Sequence, residues 1–211
     1  LGDPSCTNGG LYYNSNSSQI RACLNGAWKS LTGVLTQITS AVTVISTVTE
    51  TNLVNYTIPA GTIGTDKRIV IKLRGDFVQN IGGAESMNLR VKLGATTIYE
   101  SGAGTTGYPR GIDYSASAVR RRWSMDIEIK ALASASSQYM SGWALNYSNS
   151  TVPTTGQGVP RLANAVATQF GSNGATSVDL SAAQALVVSV QPDTNSASWE
   201  LKMYEAEVAV E

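Results

Sequence analysis

The sequence predicts an all-β protein: a jelly-roll-type antiparallel β-sandwich with a small N-terminal β-hairpin module linked by a disulfide. Two observations carry this. Apolar and polar residues alternate with a period of two in run after run, and Gly, Pro, Asn, Ser and Thr punctuate those runs at the spacing of an all-β domain. A third is negative: no stretch sustains helical apolar spacing, and only residues 160–168 are ambiguous.

Taken in order, residues 1–31 read as a unit of their own. Cys6 and Cys23 bracket Gly9-Gly10-Leu11-Tyr12-Tyr13-Asn14 and Gln19-Ile20-Arg21-Ala22, with Asn14–Ser18 as the polar turn of a hairpin. Trp28 follows Asn25-Gly26 on a third short strand. So small a unit has little core, and a Cys6–Cys23 crosslink would add about 3 kcal/mol for a loop of this size. The alternative is two buried free thiols. A disulfide would imply maturation in an oxidising place or outside a cell. Residues 32–41 read as a linker, and residues 42–211 as the sandwich.

Within the sandwich, Ile69, Ile71 and Leu73 alternate with polar neighbours, as do Leu89, Val91 and Leu93, and Trp123, Met125, Ile127 and Ile129. Each set gives a strand with one buried face. Further strands are expected at 42–49, 53–58, 95–100, 138–147, 175–180, 185–191 and 197–210. In the last, Trp199, Leu201 and Met203 have one parity and Ala206, Val208 and Val210 the other, so a β-bulge is expected near Tyr204–Glu205. Pro59-Ala60-Gly61, Gly64-Thr65-Asp66, Gly82-Gly83 and Gly94 supply turns, and 101–119 and 148–159 are longer loops.

Composition narrows the function. The chain has 211 residues, with 15 Lys and Arg against 15 Asp and Glu, no His and two Cys. Without His there is no imidazole nucleophile system and no imidazole metal site. Two Cys alone make neither a structural zinc site nor an iron–sulfur cluster. Zero net charge argues against nucleic acid as partner. No apolar run reaches the ~18 residues of a membrane-spanning helix, so no membrane insertion is expected. No catalytic residue, metal or cofactor is expected. Leu1 in place of Met suggests a processed product or a piece of a longer chain.

The candidate surface-binding residues are Tyr108 and Tyr114, in the first long loop, and Arg120, Arg121 and Arg122. The tyrosine rings could stack on sugar rings, and the guanidinium forks suit a carboxylate or an anionic glycan; the plainer reading of the arginines is a solvated strand entry. Arg74-Gly75-Asp76 spells an integrin tripeptide but lies within strand alternation, which makes it a chance match. Asp126 and Glu128 share a strand face with nothing to mark a cleft. Trp123, Trp143 and Trp199 are expected in the core. The sequons at Asn16, Asn55, Asn146 and Asn149 are chance in a chain with 24 Ser and 21 Thr.

Gly10-Leu11-Tyr12-Tyr13-Asn14, then Ile20-Arg21, Asn25-Gly26 and Ala27-Trp28, resemble the hairpin modules of tail fibres and other surface proteins of tailed bacteriophages. The segments 56–64 into 68–71, 89–99 and 122–129 resemble a virion jelly-roll domain, so the likeness covers most of the chain. It implies a non-enzymatic structural protein on the virion surface, outside the cell: a fibre or spike component or a capsid decoration. Implied partners are further copies, commonly as a trimer, other virion proteins and a host-surface glycan. The other reading is a carbohydrate-binding module or adhesin domain of a secreted bacterial protein.

Overall fold

Alternating aliphatic residues build two facing sheets that close on one core. The computed structural model describes residues 4–14, 19–24, 26–30, 33–81, 87–101, 117–134, 136–147, 165–171 and 175–211, and their regular structure is antiparallel β-sheet. The strands are β1 (Leu11–Asn14), β2 (Gln19–Leu24), β3 (Ala27–Ser30), β4 (Val34–Ile38), β5 (Val42–Ile45), β6 (Thr51–Ile58) and β7 (Arg68–Gln79). They continue with β8 (Met87–Leu93), β9 (Thr96–Glu100), β10 (Ser117–Ala131), β11 (Gln138–Tyr147), β12 (Ala165–Gly171), β13 (Gln184–Pro192) and β14 (Trp199–Val210).

The long sheet has the order β12-β11-β10-β7-β14-β4, with β5 continuing the β4 edge along β14. The facing sheet has the order β6-β13-β8-β9. The chain crosses between the two layers after β5, β6, β7, β9, β12 and β13, the connectivity of a jelly roll. Ile69, Ile71, Leu73, Trp123, Met125, Ile127 and Val208 from one sheet meet Leu89, Val91, Leu93, Leu186 and Val188 from the other in a single core cluster. Each such fully buried side chain contributes roughly 1.5–3 kcal/mol.

Gly75 lies at the centre of this packing. A β-carbon there would stand 2.8 Å from the Trp123 ring and closer still to the Lys202 carbonyl oxygen, so only glycine lets β7 pass between them. The tripeptide 74–76 therefore sits in mid-strand. Trp123 and Trp199 are in the core, whereas the Trp143 side chain falls outside what the structure describes. The expected bulge is present: the register of β14 on β7 shifts between Met203 and Glu205, leaving Tyr204 as the extra residue.

Two expectations are corrected, and an open one is decided. The segment read as a linker contains β4, which pairs with β14 from Val34↔Ala209 to Ile38↔Ala206. Residues 165–168, four of the nine in the ambiguous stretch, begin strand β12. Residues 175–180 are not a strand. Thr176 makes an isolated bridge to Gln138, and the buried Gln138 side chain donates to the Val178 carbonyl and accepts from its amide. One glutamine thus does the work of a neighbouring strand.

The N-terminal module is the three-stranded sheet β1-β2-β3, closed by the Cys6–Cys23 disulfide. Trp28 meets Tyr12 edge-on at 4.6 Å between ring centres, and its indole N–H donates to the Pro4 carbonyl at 2.7 Å. The Asn8 side chain accepts from the Gly26 amide, which ties the leading segment to the β2–β3 turn. The chain then enters the sandwich at Gly33, whose carbonyl accepts from the Val210 amide at 2.7 Å. Arg68 exchanges backbone hydrogen bonds with Glu211 at the same end. The strand ends Glu100, Ser117, Tyr147 and Ala165, which flank the two long connections, lie at the opposite end.

Candidate functional site

The outer face of the long sheet gathers much of the charge of the chain. Arg68, Lys72, Arg74, Arg120, Arg122, Lys130 and Lys202 share it with Asp76, Asp126, Glu128, Glu200, Glu205, Glu207 and Glu211, a balanced set. Antiparallel register puts opposite charges across from or diagonal to one another, the spacing at which cross-strand pairs interact. Arg68 reaches Glu128 at 3.2 Å and Glu211 at 2.7 Å, Arg74 reaches Asp126 at 2.8 Å, and Lys72 reaches Glu207 at 3.5 Å. Asp126 and Glu128 are therefore each matched to an arginine, which leaves no acid–base pair poised between them.

Asp76 is a hub. It accepts from Arg120 at 2.7 Å and from the Tyr204 hydroxyl, and Arg120 also spans to Glu200 at 2.8 Å. The hydrogen bonds that Arg120 donates to Glu200 and Asp76 raise its pKa further, and the bond to Asp76 raises that of Tyr204. Lys202 lies over the Tyr204 ring at 5.5 Å.

The structure separates the three candidate arginines. Arg120 is exposed but committed to Asp76 and Glu200. Arg121 is a correction: it is 3% exposed, on the core face, with its guanidinium 4.4 Å from the centre of the Phe77 ring, so it is not a surface residue. Burial of that cation follows from parity, since Arg121 shares its strand face with Trp123 and Met125. Arg122 is exposed and makes no ion pair among the described residues. Tyr108 and Tyr114 lie outside the described residues.

The facing sheet carries a tighter cluster. Glu50, just before β6, accepts from Lys92 at 2.6 Å, from the buried Ser189 hydroxyl at 2.5 Å and from Arg90 at 3.0 Å. Arg90 also reaches Glu100, which accepts from Asn88 at 2.7 Å. The Lys92 hydrogen bond, then that of Ser189, lowers the Glu50 pKa; the bonds from Asn88 and Arg90 lower that of Glu100. Three exposed apolar residues, Leu11, Tyr13 and Ile20, share one face of the N-terminal module.

Sequence reasoning missed one concavity. At the Tyr204 bulge a hollow of about 220 Å³ is lined by Gln37, Ile38, Thr39, Lys72, Arg74, Glu205, Ala206 and Glu207. The parity switch in 197–210 was its signal, because a bulge displaces the edge strand beside it. Among the described residues no three His, Cys, Asp or Glu side chains are grouped to hold a metal, and no helix is long and apolar enough to cross a membrane. Comparison of the chain with protein families, curated proteins and solved structures finds no match.

Proposed function

We propose that the chain is a non-enzymatic structural protein of a tailed-phage virion surface, a fibre or spike component or a capsid decoration, acting by subunit assembly and host-surface attachment. The observation that supports this most is polarity along the molecule. The disulfide-closed module joins the sandwich at Gly33, whereas the strand ends flanking the two long connections, Glu100 with Ser117 and Tyr147 with Ala165, lie at the far end. A body tethered at one end, with the strand ends that flank its longest connections at the other, suits display. The balanced charge of the outer face suits side-by-side packing of identical copies, since neither sign is left to repel its own kind.

Sedimentation equilibrium of the purified chain, together with gold-labelled antibody on purified particles of the phage that encodes it, tests this reading. A trimer in solution and label on head, tail or fibre are expected. A strictly monomeric chain at high concentration, with no label on the particle, overturns it.

A further inference from the structure

We propose that the hollow beside the Tyr204 bulge binds one residue of a neutral saccharide. The inference stands on this hollow alone and holds for a virion protein or a secreted one, so failure of the particle-labelling experiment leaves it intact.

The hollow is a consequence of backbone geometry. β4 ends at Ile38 and β5 begins at Val42, and between them residues 39–41 leave the β14 ladder. Opposite that gap, β14 spends its extra residue, Tyr204. The space that opens is lined by three neighbouring strands of the long sheet, β4, β14 and β7. At about 220 Å³ it falls below the ~300 Å³ at which drug-sized pockets begin, so it takes one ring.

Its chemistry selects the class of ligand. Glu205 is exposed, and its side chain makes no ion pair or hydrogen bond among the described residues. Glu207 is held only loosely, by Lys72 and by the Gln37 amide, each at 3.5 Å. The lining thus offers carboxylate acceptors alongside ammonium, amide and hydroxyl donors. A cationic ligand would meet Lys72 and Arg74, and an anionic one would meet the two glutamates. A sugar hydroxyl both donates and accepts, so a set of hydroxyls satisfies both kinds of group with no buried charge mismatch.

So shallow a site binds weakly, and repetition over several copies would supply avidity. The test is titration of the isotope-labelled full chain, followed by ¹H–¹⁵N spectra, with methyl glycosides of glucose, galactose, mannose, rhamnose and N-acetylglucosamine to about 50 mM, which covers millimolar Kd. Saturable shifts of the Gln37 side-chain amide and of the Thr39 and Glu205 backbone amides are expected with at least one glycoside. Glu205→Ala should weaken that binding at least tenfold without lowering the melting temperature, and Thr97→Ala, on the opposite sheet, should leave it unchanged. Three outcomes overturn the proposal: no saturable shift at those groups with any of the five, shifts confined to other parts of the chain, or a stronger response there to lysine or acetate than to every glycoside.

Discussion

Glu50 shows how a single charged residue can organise a β surface. It follows a turn in which Ser46 adopts a left-handed backbone, and its carboxylate is gripped by Lys92, Ser189 and Arg90. The grip fastens the β5–β6 crossover onto the facing sheet. Because these partners favour the ionised form, the folded pKa lies below the ordinary value of 4.5. The stabilisation is therefore complete above the unfolded carboxylate pKa and disappears as pH falls through the lower folded value. Glu50→Gln should lower the melting temperature at pH 7, and the gap should narrow as pH falls through the lowered folded pKa, where Glu50 takes up its proton. Parallel melts from pH 3 to 7 by circular dichroism check this, and a constant gap across the range would refute it. Such a residue is hard to read from sequence, because Glu50 sits among Thr and Asn and its partners come from β8 and β13. Arg121 is the opposite case: its alternation with Trp123 marks it as inward-facing, and a triplet of like charges drew attention away from that parity.

At the scale of elements, β7, β8, β13, β14 and the 123–129 part of β10 were legible because one face of each is apolar. β4 was not, since Val34-Leu35-Thr36-Gln37-Ile38 is half-buried at an edge and has no clean alternation. Residues 175–180 read as a strand, yet Val178 pairs with the Gln138 side chain and only Thr176 with the Gln138 backbone, an arrangement no periodicity encodes. The bulge was legible from parity alone, whereas the hollow beside it required knowing that the β4–β5 gap faces it. The N-terminal module invites a direct test. Its interior consists of little more than the buried Cys23, Trp28 and Tyr12, so the disulfide supplies about 3 kcal/mol that the core cannot replace. Reduction, or Cys6→Ser with Cys23→Ser, should abolish amide protection in 4–30 and leave protection of β7 and β14 unchanged. Hydrogen exchange with mass-spectrometric readout measures both together, and a module that stays protected when reduced would contradict the expectation.

At the scale of the whole molecule, two sheets share one core while most formal charge is neutralised on the outer faces. Exposed pairs of this kind contribute only about 0–1 kcal/mol each, so stability rests on the interior and the charges shape what the surface can meet. The bond between Gly33 and Val210 has a mechanical consequence. Antiparallel β4 and β14 begin and end together there, so tension between Gly33 and Glu211 peels their hydrogen bonds apart one at a time. Tension between Gly33 and the far end, at Asn80, instead runs along the strands and loads the β7–β10 and β7–β14 ladders all at once. Single-molecule pulling from these two pairs of attachment points should give a distinctly lower rupture force for the first. The sandwich is then strong along its long axis and weak to peeling at its base, a material with a grain.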